Sequence, residues 1–155
     1  MISVVIPTLN DAAHLPRALA PLGHGMAHGL IKQVIVADGG STDETLEIAD
    51  AAGCEIVVSE PGRAKQLRAG VAVARANWLL FLNPDTALSD GWVGEAELFM
   101  AQPQARKRAA AFRFAFADSS PGAKQVVFWA RMRAQVMKLP YGDQGMLISR
   151  LLYDA

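Results

Sequence analysis

A single cysteine, Cys54, is all the thiol in 155 residues. That excludes an internal disulfide framework and suits a reducing cytoplasm. Net charge is missing too, because Lys+Arg and Asp+Glu are both 15. The balance removes any bulk drive toward nucleic acid or an acidic membrane, and no nucleic-acid partner is expected. No apolar run approaches the ~20 residues of a membrane span. Met1-Ile2-Ser3-Val4-Val5 has no basic region ahead of its apolar residues, so it does not read as a signal peptide. There is no internal repeat and no low-complexity linker. What the chain does have is apolar residues, 52% against 19% charged. Such a chain folds, here as one domain over 1–155 that buries roughly 70% of its unfolded surface.

Short apolar runs recur at Ile2–Ile6, Ile31–Ala37, Ile56–Val58, Trp78–Leu82, Ala109–Phe116 and Met146–Ile148. The first four are too short for ordinary helices and rich in Val, Ile and Leu, as strands buried on both faces are. Helical patterns separate them. Parallel strands with crossover helices follow, hence an α/β fold with a doubly wound, mostly parallel sheet. Ser41 to Glu44 matches a capping box, so a helix is expected from Ser41 to about Ala52, stopped by Gly53. The next helix starts near Gly62, with Leu67, Gly70, Val71 and Ala74 on its inward face. Arg63 shares that face in the first turn and aims toward the strand ends. Phe112, Phe114 and Phe116 alternate with Arg113 and Ala115, as on a two-faced strand. Residues 122–138 read as a helix.

In open α/β sheets, ligands sit beyond the carboxyl ends of the strands. This sequence places Pro7, Thr8, Leu9, Asn10 and Asp11 after the first strand. Asp38, Gly39 and Gly40 follow the second, and Asn83, Pro84, Asp85 and Thr86 follow the fourth. Asp38 can accept a hydrogen bond from a ligand edge there, and the glycines let backbone approach closely.

The stretches "VVIPTLND", "VADGGSTDETL", "GRAKQLRAG", "LLFLNPDT" and "LPYGDQG" resemble the nucleotide-sugar-dependent glycosyltransferases of family 2, with the GT-A fold. They are most similar to a small bacterial group whose fourth strand ends in a short Asp-Thr motif. The resemblance implies a nucleotide-sugar-binding part over 1–88 and an acceptor-side part over 89–155. It implies that Pro7, Thr8, Asn10, Asp38, Gly39, Arg63 and Asp85 bind the donor, a UDP-sugar. Thr8 and Asp38 would meet the base, and Asp38 would accept from a ring N–H. Asp85 would hold Mn²⁺ or Mg²⁺, with Asn83 at the first position of an Asp-x-Asp-like motif. The implied reaction is one in-line displacement with inversion onto an acceptor the sequence does not name. The family's usual base lies in a Glu-Asp motif downstream of "PYGDQG", whereas this chain stops at Tyr153-Asp154-Ala155. The expectation is a fragment, a truncated frame or a protein that has lost turnover, with Asp143 the candidate replacement base. Self-association through uncovered apolar surface is expected with it. The alternative function is a non-catalytic nucleotide-sugar-binding module or an inactive remnant.

Plainer readings stand beside these. Asp38-Gly39-Gly40 makes a tight turn on its own, and Asp85 can cap a helix near Ser89–Gln102. Arg63 can pair with a surface carboxylate. "GHGMAHG" carries two of the three histidines but no thiolate, and reads as a mobile loop rather than a zinc site. Val127, Phe128 and Trp129 suit peripheral membrane contact, or more commonly a core or partner interface.

Overall fold

The computed structural model describes residues 1–112 and 145–155. Strands β1 (Ile2–Thr8), β2 (Ile31–Asp38), β3 (Glu55–Val58) and β4 (Trp78–Phe81) are parallel. Two more, β5 (Ala110–Ala111) and β6 (Met146–Ser149), pair antiparallel, with β6 also antiparallel to β4. The order across the sheet is β3-β2-β1-β4-β6-β5. Helices α1 (Leu15–Leu19), α2 (Leu22–Ala27), α3 (Thr45–Ala51), α4 (Arg63–Val73) and α5 (Trp92–Met100) connect or flank the strands, and α6 (Arg150–Tyr153) follows β6.

The alternation of β1 explains the two-layer cover. Val4 and Ile6 join Leu15, Leu22, Val34, Val36, Leu80 and Trp92 in the larger core. Val5 points the other way, to Ile35, Ala37, Leu79 and Val71 of α4. Every residue of β1 is buried, as expected for a central parallel strand. Edge strand β3 departs from that expectation, since Val58 is 65% exposed.

Gly70 sets how closely α4 lies on the sheet. A Cβ there would stand 2.5 Å from Val5 Cγ1 and 3.4 Å from Ala37 Cβ. Both neighbours are fully buried and cannot retreat. Gly70→Val is therefore expected to destabilise the fold by about 2 kcal/mol or more, despite the better helix propensity of valine. A denaturant titration checks this, and an unchanged midpoint would refute the close approach.

Two local expectations are corrected. Helix α3 starts at Thr45, not Ser41, and its cap Glu44 makes no side-chain bond. The would-be capping residues hold the β1 loop instead. Ser41 Oγ accepts from Asn10 N at 2.8 Å, Asp43 Oδ2 from Ala12 N at 3.1 Å, and Thr45 Oγ1 from Asp11 N at 2.9 Å. In return Asn10 Oδ1 accepts from Thr42 N at 2.8 Å. The glycine-rich histidine segment is the second correction. Leu22–Ala27 is helical, with His28 as its C-cap, because Leu22 and Gly25 are buried against the core. Trp92 Nε1 donates to Pro21 O at 3.1 Å beside it.

Helix α5 begins at Trp92, with Gly91 as its cap, so Asp85 does not cap it. Of the alternating phenylalanines, Phe112 is half-buried, while Arg113, Phe114 and Phe116 lie outside the described residues. So does the whole 122–138 segment. Among the described residues no helix is long and apolar enough to cross a membrane.

Candidate functional site

Register brings the first pair of site residues together. Thr8 and Asp38 are opposite each other at the carboxyl ends of β1 and β2. Both are buried, and Thr8 Oγ1 donates to Asp38 Oδ1 at 2.9 Å. Ser41 Oγ donates to the same oxygen at 2.5 Å. The other oxygen, Oδ2, accepts Gly40 N at 2.8 Å and Ser41 N at 2.7 Å. A carboxylate has about four acceptor positions, and here four donors fill them. Burial pushes this carboxyl up. The bonds from the Ser41 hydroxyl, the Ser41 and Gly40 amides and the Thr8 hydroxyl outweigh that and hold it below the ordinary carboxylate value.

Beside Thr8 a cavity of about 470 Å³ opens over the strand ends. That size suits a small-molecule ligand. Pro7, Thr8, Arg63, Gln66, Asn83 and Asp85 are among its lining residues. The expected residues Pro7, Thr8, Arg63 and Asp85 thus converge. Asp38 and Gly39 are buried and do not line it, and Asn10 is taken up in the loop contacts described above. Asp143 lies outside the described residues.

Arg63 opens α4 and reaches the β4 end, where its guanidinium donates to Asn83 Oδ1. Asn83 is 5% exposed, whereas Asp85 is exposed. Asp85 Oδ1 takes one long contact, from Thr86 Oγ1 at 3.3 Å. So the turn after β4 buries its amide and presents its carboxylate. Among the described residues there is no group of three or more His, Cys, Asp and Glu able to hold a metal by themselves.

Gln66, like His14, is a lining residue that sequence reasoning missed. It sits one turn before Gly70 and is 5% exposed, deeper than Leu67. Its Nε2 donates to Thr8 O at 2.6 Å and to Ala37 O at 3.1 Å, tying the ends of β1 and β2 together. Gly39 makes room for it, since a Cβ at position 39 would lie 3.0 Å from that nitrogen. The available signal was helical spacing: positions 66 and 70 share a face.

The model of glycosyl transferase family 2 matches residues 3–140. The chain belongs to that family. A PGL/p-HBAD biosynthesis glycosyltransferase of Mycobacterium tuberculosis is 37% identical over 95 residues, covering 57% of this chain and 36% of that protein. The chain thus matches about a third of the length of that relative. Glucosyl-3-phosphoglycerate synthase from M. tuberculosis, solved with Mn²⁺ and UDP-glucose, matches with a TM-score of 0.70 at 21% identity. That match covers 97% of this chain and 56% of the synthase. TarS of S. aureus, solved with UDP-GlcNAc, matches at TM-score 0.54 and 24% identity, over 64% of this chain and 30% of TarS. At these identities the structural likenesses establish the GT-A fold.

Proposed function

We propose that this chain binds a nucleoside-diphosphate sugar with a divalent cation and forms the donor side of an inverting glycosyl transfer. One observation carries the reading: Thr8, Arg63, Gln66 and Asp85 converge on a single cavity at the carboxyl ends of the parallel strands. The family membership and the fold shared with a synthase solved with Mn²⁺ and UDP-glucose support a uridine donor.

In this reading Thr8 and Pro7 form the floor under the base. Asp38 acts from behind, fixing the Thr8 hydroxyl and the Gly40–Ser41 turn, and Asn10 and Gly39 keep the surrounding loops in place. Arg63 brings positive charge beside the turn that carries Asp85, where a diphosphate would lie. The exposed Asp85 carboxylate fits Mn²⁺ or Mg²⁺, which accept one or two protein carboxylates plus phosphate and water oxygens. Such an ion, when bound, supplies charge to the departing diphosphate. The acceptor hydroxyl oxygen forms its bond to the anomeric carbon as the bond to the diphosphate breaks, with inversion. Its proton passes to a base, for which Asp143 is the candidate on sequence alone.

The test is a thermal-shift series with UDP, GDP and UDP-sugars, with and without Mn²⁺. UDP at 100 times its dissociation constant is expected to add about 2.7 kcal/mol. For a chain of this size that raises Tm by roughly 5–10 °C, with Mn²⁺ lowering the UDP concentration required. No shift with any nucleotide at millimolar concentration would contradict the reading.

A further inference from the structure

The end of the sheet away from the donor cavity carries three cations that the fold leaves unused. Arg106, Lys107 and Arg108 follow one another through the 3₁₀ turn Ala105–Lys107 and its C-cap, and all three are exposed. Their side chains make no hydrogen bond or ion pair among the described residues, where the bridges are Lys65–Glu60, Arg75–Glu55 and Arg150–Asp154. The turn itself is anchored. Ala105 is buried in the larger core, and Arg106 O accepts from Ser149 Oγ at 2.8 Å. The same hydroxyl caps α6, accepting from Leu152 N at 3.1 Å. One side chain thus fastens α6 to the basic turn.

Apolar side chains stand at the same end. The Tyr153 ring lies 5.8 Å from that of Phe81 and holds α6 on the sheet, yet Leu151 is left 66% exposed. Met1, equally exposed, leads into Ile2, which is opposite Trp78. Trp78 in turn follows Asn77, whose carbonyl accepts Arg150 N at 2.8 Å. Strand β4 runs from this end toward Asp85, so the patch and the cavity lie at its opposite ends. The chain's net charge of zero hides this local group of unpaired cations. Helix α6 does not offset it, because Asp154 is already paired with Arg150 at 2.8 Å.

We propose that this end of the protein docks on the surface of an anionic lipid bilayer, with the basic turn among the headgroups and Leu151 and Met1 at the boundary with the acyl chains. Unpaired cations alone suit any polyanion. The exposed apolar side chains at the same end favour a bilayer, which offers anionic charge and an apolar layer within about 10 Å of each other. In this orientation the donor cavity opens away from the lipid, toward water and soluble ligands. Such docking is independent of what fills the cavity.

Vesicle flotation of the full chain tests this, with vesicles of phosphatidylcholine alone and of phosphatidylcholine mixed equally with phosphatidylglycerol. Binding is expected to the mixed vesicles only, and to be lost at about 1 M salt, where the screening length is about 3 Å. A basic residue near an anionic surface contributes about fivefold in affinity. Arg106→Gln, Lys107→Gln and Arg108→Gln together should therefore weaken binding about a hundredfold. Leu151→Gln should weaken it about tenfold with the charge unchanged. The replaced side chains are all exposed, so the variants should fold as the parent does, which melting curves check. Equal binding to neutral vesicles, or no binding to either kind, would overturn the proposal, as would full binding by the triple variant. Unchanged binding by Leu151→Gln would also overturn it, since the turn would then be a site for any soluble polyanion.

Discussion

Asp38→Asn is expected to lower the melting temperature by roughly 5–15 °C near neutral pH. The native carboxylate accepts four hydrogen bonds, from Thr8, Ser41 twice and Gly40. An amide has one oxygen with two acceptor positions, and its NH₂ group faces donors rather than acceptors. About two donors lose their partner in a buried setting, at about 1–3 kcal/mol each. The effect has a pH signature. The folded carboxyl sits below its ordinary value, so its stabilisation is fully present above the unfolded value of about 3.9. It fades as pH falls through the lower folded value. The gap in Tm between parent and variant should therefore narrow below about pH 4. Asp43 is also held low, chiefly by the Thr45 hydroxyl, so the parent keeps some acid sensitivity in the same direction. Melting curves from pH 3 to pH 8 check both points. A gap that does not change with pH would show that the carboxylate's charge is not what holds the turn.

Asp85→Asn is expected to act on binding and not on folding. Its carboxylate is exposed and takes only the long contact from Thr86, so Tm should change by no more than about 0.5 kcal/mol's worth. The Mn²⁺-dependent gain in UDP affinity should disappear. A metal's interaction with a charged diphosphate is worth several kcal/mol, so the loss should reach about a hundredfold. Free uridine, which has no phosphate, should bind the variant as it binds the parent. Calorimetry with uridine and with UDP, each with and without Mn²⁺, separates these outcomes. Equal loss for uridine would move Asp85 to the base end of the site.

The two carboxylates also show what the sequence could and could not reveal. The parallel core was legible because β1, β2 and β4 are short stretches dominated by Val, Ile and Leu, and stretches of that length have few other uses. The inward aim of Arg63 followed from helical spacing alone, and Arg63 does line the cavity. The capping box was misread because Ser41 and Asp43 suit either a helix cap or a loop tether, and Thr45 beside them joins the tether. The tether prevails because the β1 loop offers the Asn10, Asp11 and Ala12 amides within reach, a contact across about thirty residues that no local pattern contains. Gln66 was missed for a related reason. A glutamine among arginines and lysines reads as solvated surface, and only the meeting of the β1 and β2 ends gives its amide two buried partners. The histidine-bearing stretch read as a loop because Gly23, Gly25 and Gly29 outweighed its apolar positions, whereas burial of Leu22 and Gly25 makes it a helix.

The central claim is that a nucleotide and a metal ion occupy the cavity above β1 and β4. Backbone-assigned ¹H–¹⁵N NMR of the labelled chain tests it most directly. Titration with UDP and Mg²⁺ should shift the amides of Thr8, Leu9, Arg63, Gln66 and Asn83. Trace Mn²⁺, added in place of Mg²⁺, should broaden signals most strongly around Asp85 and Thr86, and only weakly around β3. Shifts and broadening centred elsewhere, or no change at millimolar UDP, would contradict the account.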